Sequence, residues 1–135
     1  MTRIESKKAA LQQGAAEVFA FLSDFNNLAK LMPPQVEGFT VDGDTCRFTI
    51  KGMATIGLKY ESKTPDSEVV MVKHGQAPFD LKLICKIGPG EETGSVLQLI
   101  FDADLNPFLK MMAEKPLGNF LNLLVDRYVE LSNAS

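Results

Sequence analysis

From Val36 to Leu105 apolar and polar residues alternate with period two for about seventy residues, in runs joined by links of only a few residues. No other feature restricts the fold as much. Side chains at i and i+2 share a face of a strand, and a parallel crossover needs a dozen or more residues. These runs are therefore expected as antiparallel neighbours in a meander. "VEGFTVDG" ends on the turn formers Asp42-Gly43-Asp44, and "TCRFTIK" sets Cys46, Phe48 and Ile50 on one face. "ATIGLKYESKT" sets Ala54, Ile56, Leu58 and Tyr60 against Thr55, Lys59, Glu61 and Lys63, and Pro65-Asp66 turns it round. "EVVMVKH" follows, then Gly75 to Pro78, then "FDLKLICKI" with Phe79, Leu81, Leu83, Cys85 and Ile87 in phase. After "GPGEETG", "SVLQLIFDADL" closes the set with Leu97, Leu99, Phe101 and Ala103 in phase.

Helical spacing flanks this block. "RIESKKAALQ" alternates weakly through Ile4, Ser6, Lys8 and Ala10 and predicts a first strand over 3–12. "AAEVFAFLSDFNNLAKLM" then spaces Val18, Phe21, Leu22 and Phe25 by three and four. Asp24 and Asn26-Asn27 divide it into two short helices, and Pro33-Pro34 ends them. After the sheet, Asn106 caps and Pro107 opens a long helix with Leu117, Phe120, Leu121, Leu124, Tyr128 and Leu131 on its apolar stripe. Asn119, Asn122, Asp126, Arg127 and Glu130 lie largely off it.

Pro116 and Gly118 stand inside that last helix, where proline costs about 3 kcal/mol and glycine about 1 relative to alanine. One reading makes them the hinge of a lid over a curved sheet. The other makes "NPFLKMMAE" and "PLGNFL" two helices, with Pro116 in a tolerated first turn. Both place a break between a Met-rich segment around Met111-Met112 and the striped one, and expect the former to be more mobile.

The order of elements, an opening strand, a helix pair, a meander and a terminal helix, predicts an α+β fold in which a curved antiparallel sheet grips the last helix and the first strand pairs with the last. This pattern resembles the START-like superfamily, also called SRPBCC, which includes pollen-allergen-like, polyketide cyclase/dehydratase-like and lipid- or coenzyme Q-binding proteins. The resemblance rests on the opening strand, on "AAEVFAFLSDFNNLAKLMPP" and on the helix from "NPFLKMM" to "VDRYVEL", and spans residues 1–135 as one domain. It implies a helix-grip fold with an apolar cavity between sheet and last helix. Phe48, Ile50, Ile56, Leu58, Tyr60, Leu81, Leu83, Leu97, Leu99 and Phe101 would face inward. Phe108, Met111, Met112, Phe120 and Leu124 would meet them from the helix. The same stripes serve equally as solid core.

Polar chemistry is sparse. His74, the only histidine, projects toward the cavity mouth if Val70 and Val72 face inward, and Tyr60 has an inward parity with a hydroxyl that needs a partner. These two are the catalytic candidates. Asp102 and Asp104 fall on the opposite parity from Phe101. Cys46 and Cys85 lack CxxC or Cys/His grouping, so no metal site is expected. "GPGEETG" links strands rather than opening a helix, which argues against a nucleotide cofactor. A net charge of -3 with scattered Lys and Arg argues against nucleic acid. No apolar run reaches the roughly 18 residues of a membrane span, and "MTRIESKKAALQQ" lacks a signal-peptide core, so stable membrane insertion is not expected and the cytoplasm is the expected location.

Three functions stay open: carriage of a small apolar or amphipathic ligand (lipid, isoprenoid quinone or polyketide-like), a cyclase/dehydratase-type enzyme using the same cavity, and a protein-interaction module with a filled cavity. A protein partner and the oligomeric state are left open too.

Overall fold

The computed structural model describes residues 2–75 and 77–133; Gln76, in the expected link after His74, lies outside them. Among the described residues the elements are β1 (Thr2–Glu5), β2 (Ala9–Leu11), α1 (Ala15–Leu22), α2 (Phe25–Leu28), a 3-10 turn (Ala29–Leu31), β3 (Val36–Asp42), β4 (Thr45–Ile50), β5 (Ala54–Thr64), β6 (Glu68–Lys73), β7 (Leu81–Pro89), β8 (Ser95–Ala103) and α3 (Pro107–Asn133). The strands form one antiparallel sheet in the order β1-β8-β7-β6-β5-β4-β3, with β2 also on β8. The meander and the closure of the first strand on the last are therefore as expected, and the fold is a helix-grip α+β arrangement. Asp24 caps α2 by accepting from the Asn26 amide at 2.9 Å. Asn106 caps α3 through the Leu109 amide at 2.8 Å.

The expected single strand over 3–12 is two strands. Ile4 stands opposite Phe101, but Ala9 stands opposite Leu97, a slip of one residue. Ser6 sits in this bulge and is only 4% exposed. Its backbone amide donates to the Leu99 carbonyl at 2.8 Å, and its hydroxyl accepts from the Leu99 amide at 2.9 Å. A side-chain oxygen thus replaces a missing ladder carbonyl, so the bulge leaves that amide satisfied. The slip also moves the buried positions from Ile4 and Ser6 to Leu11.

α3 runs along β1 and β2. Gly118 approaches Ile4, Asn122 accepts from the Lys7 amide at 2.8 Å, and the Tyr128 hydroxyl donates to Gln13 Oε1 at 2.7 Å. The helix is continuous through Pro116 and Gly118, which corrects the expectation of two separate helices. Pro116 is exposed, and the helix bond that it forgoes is one to Met112, which is itself 60% exposed. Proline at such a site loses least, because water can serve the freed carbonyl.

The two faces of the sheet differ. The inner face and α3 share one buried cluster that includes Val69 and Met71. Val70 packs with Ile84, Ile100 and Val72 in a separate cluster on the other face, which corrects the premise that Val70 and Val72 point inward. A second slip, between Tyr60 and Ser62, turns Lys63 away from the outer face expected for it. Its ammonium donates to the Ser23 carbonyl at 2.9 Å and lies 4.1 Å from the centre of the Tyr60 ring.

Candidate ligand-binding site

The strand residues expected at the inner wall, Phe48, Ile50, Ile56, Leu58, Leu81, Leu83, Leu97, Leu99 and Phe101, all belong to the inner buried cluster, as do Phe120 and Leu124 from α3. Their rings and branches pack on one another. Phe120 lies between Phe48 and Phe101 with ring centroids 6.2 and 6.4 Å apart, and Phe39 extends the file at 5.5 Å from Phe48. The fully buried polar side chains among the described residues are Ser6 and Ser95. The Ser95 hydroxyl donates to the Gln13 carbonyl at 2.8 Å, so both serines spend their hydroxyls on backbone.

The other expected contributors from α3 do not meet the wall. Phe108, Met111 and Met112 are 63%, 77% and 60% exposed. α3 lies level with Ile4 at Gly118, and Phe108, ten residues earlier, is about 15 Å further along the axis at the helical rise. These first turns overhang the end of β1.

Neither catalytic candidate faces open interior space. Tyr60 is part-buried and stacks on Phe25 at 4.1 Å between centroids, while its hydroxyl donates to the Leu22 carbonyl at 2.8 Å. Burial, its largest influence, pushes the phenol well above the ordinary range. His74 is exposed, and its amide donates to the Gly57 carbonyl at 2.9 Å. It shares the outward parity of Val70 and Val72, and with Thr40, Arg47 and Gly57 lines a hollow of about 280 Å³. Asp102 faces outward as expected, accepting both arms of the Arg3 guanidinium at 2.9 and 3.0 Å, which holds its carboxyl below the usual range.

Among the open hollows, one lies at the seam between α3 and the segment entering β3; a larger one, about 760 Å³, lies where the β7–β8 turn meets Ala10–Gln12. Leu31, Met32, Pro33, Pro34 and Val36 form one side of a groove of about 660 Å³; Leu123, Asp126, Arg127 and Glu130 form the other. Each side has a local cause. Pro33 and Pro34 stop the helical run and hold the chain extended into β3. Leu123 is a large apolar residue in the second half of α3 that escapes the inner stripe, 37% exposed and one turn before Arg127. Arg127 is anchored at the rim, with Nε donating to the Lys30 carbonyl at 3.4 Å and Nη1 to Glu130 Oε2 at 3.2 Å. Asp126 is ion-paired with Lys7. The groove combines an apolar floor with an ionic edge, and its volume is in the range of small-molecule sites.

None of these groove residues stood out as a site in the sequence. The available signal was Leu123 on the polar side of α3, four residues before an arginine.

No family model matches the sequence, and no curated protein does. Solved structures of the same shape do. A START superfamily protein from Mycobacterium smegmatis superposes with a TM-score of 0.78 at 14% identity, covering 98% of this chain and 97% of its own. KanY superposes with a TM-score of 0.78 at 13% identity, covering 98% and 99%. XoxI from Bacillus cereus superposes with a TM-score of 0.77 at 12% identity, covering 97% and 95%. The fold is START-like (SRPBCC). At these identities the likeness speaks for the fold alone.

Proposed function

We propose that residues 1–135 act as one START-like binding domain for a small apolar or amphipathic molecule, such as a lipid, isoprenoid quinone or polyketide-like compound, seated in the groove between Leu31–Val36 and α3. The observation that carries this is the composition of the groove: apolar side chains from two elements with charged groups at one edge. Such a site holds an apolar body and leaves a polar end near water. A cyclase/dehydratase-type reaction needs polar groups facing one another across a substrate. Tyr60 packs at the inner face and His74 lies on the outer one, which favours holding over catalysis.

Native mass spectrometry of freshly purified protein tests the reading. A co-purified or lipid-extract adduct that is lost in Leu123→Asp, a variant at a part-exposed position, is the expected result. Absence of any adduct across hosts and extracts would overturn it.

A further inference from the structure

The geometry points to a carboxylate-headed, single-chain amphiphile as the occupant of this groove, with Arg127 as the residue that receives the head. This rests on the binding reading above and narrows it. A guanidinium has five N–H donors in a planar fork. Arg127 spends two of them, one on a long contact to the Lys30 carbonyl and one on Glu130. Arg127 lines the groove beside an apolar floor made by Leu31, Met32, Val36 and Leu123. The rim carboxylates each have a cation of their own, Asp126 on Lys7 and Glu130 on Arg127, whereas Arg127 uses only two of its five donors.

Glu130 also shows which anion suits the fork. Its carboxylate already accepts from Nη1 at 3.2 Å, in a pair whose side chains are 49% and 67% exposed. Exposed pairs of this kind are weak, about 0–1 kcal/mol, so an incoming carboxylate tethered by its apolar chain can displace Glu130. The acid would lie with its chain against Leu123 and Met32 and its head on Arg127. Charge is conserved in this exchange, since one carboxylate replaces another on the same cation.

The test is a titration of isotope-labelled protein with octanoate, octanol and octyltrimethylammonium, each below its micelle concentration, followed by amide chemical shifts. Octanoate is expected to move the amides of Leu31, Met32, Gln35, Val36 and residues 123–130 and to bind about tenfold more tightly than octanol, the scale of one charge-assisted hydrogen bond. Arg127→Lys keeps the charge but loses the fork, and should remove most of that preference. Glu130→Gln removes the internal competitor and should tighten octanoate by up to about fivefold; a merely structural role for the pair predicts no gain. Equal affinity for octanoate and octanol, or preference for the ammonium, would overturn the carboxylate assignment and leave the binding reading standing. Failure of all three to move the groove residues would overturn the binding reading itself.

Discussion

The backbone amide of Lys7 donates to the Asn122 side-chain oxygen at 2.8 Å, so the bulge in the first strand is also what fastens the closing helix. The Lys7 ammonium pairs with Asp126, one turn further along α3. Ser6 completes the bulge from the inner side through Leu99. Removing the Ser6 hydroxyl strands a buried amide, whereas removing Asn122 frees one that water can reach. Ser6→Ala should therefore cost about 1–3 kcal/mol and Asn122→Ala only about 1. Urea unfolding of the two variants checks the order, and a larger loss for Asn122→Ala would contradict it.

Continuity of α3 through Pro116 and Gly118 makes both residues departures from helix preference without a break to justify them. A Cβ at Gly118 would sit 3.7 Å from Ile4 Cγ2, an ordinary contact. Gly118→Ala should stabilise by up to about 1 kcal/mol and Pro116→Ala by up to about 3. Losses in both would restore the hinge.

Gly94 has the opposite character. A Cβ there would lie 2.3 Å from the Leu11 carbonyl oxygen, where the β7–β8 turn packs on the end of β2. Backbone on backbone has little room to yield, so Gly94→Ala should lose about 1–3 kcal/mol in thermal or urea melts. A neutral result would show that β2 can shift.

Cys46 and Cys85 are buried free thiols, both pushed by burial from 9.0 up to about 12. A pKa raised on folding means that the native state holds its proton longer than the unfolded chain does. The thiols' contribution is then fully present below about pH 9 and is lost as pH rises from there through 12. Urea midpoints should fall over this alkaline window, and the fall should be shallower in Cys46→Ala/Cys85→Ala. Native protein at neutral pH should react slowly with thiol reagents. Rapid labelling without unfolding would contradict the burial.

The architecture was legible because period-two runs and short links leave antiparallel neighbours as the main option, and because the stripe from Leu117 to Tyr128 has no competing partner. What the residues did not disclose was register. One-residue slips after Glu5 and after Tyr60 invert parity, so Lys63, read as solvent-facing, reaches back to Ser23 and Tyr60. Val70 and Val72 misled for a related reason: "EVVMVKH" is apolar on both faces, and the packing of Val69 and Met71 decided which turned inward. The groove was hidden because it joins Met32 and Val36 to Leu123 and Arg127, and no local pattern records such a long-range pairing.

The methionines give the most direct test of where a ligand sits. Met32 lines the groove, Met71 is fully buried at the inner face, and Met111 and Met112 lie exposed on the overhanging turns of α3. With methionine methyls isotope-labelled, octanoate should shift the Met32 methyl and give it a direct contact to the alkyl chain while the methyls of Met71, Met111 and Met112 stay in place. Contacts confined to Met71 would place the ligand inside the grip, and contacts confined to Met111 and Met112 would place it at the mouth; either result would contradict the groove.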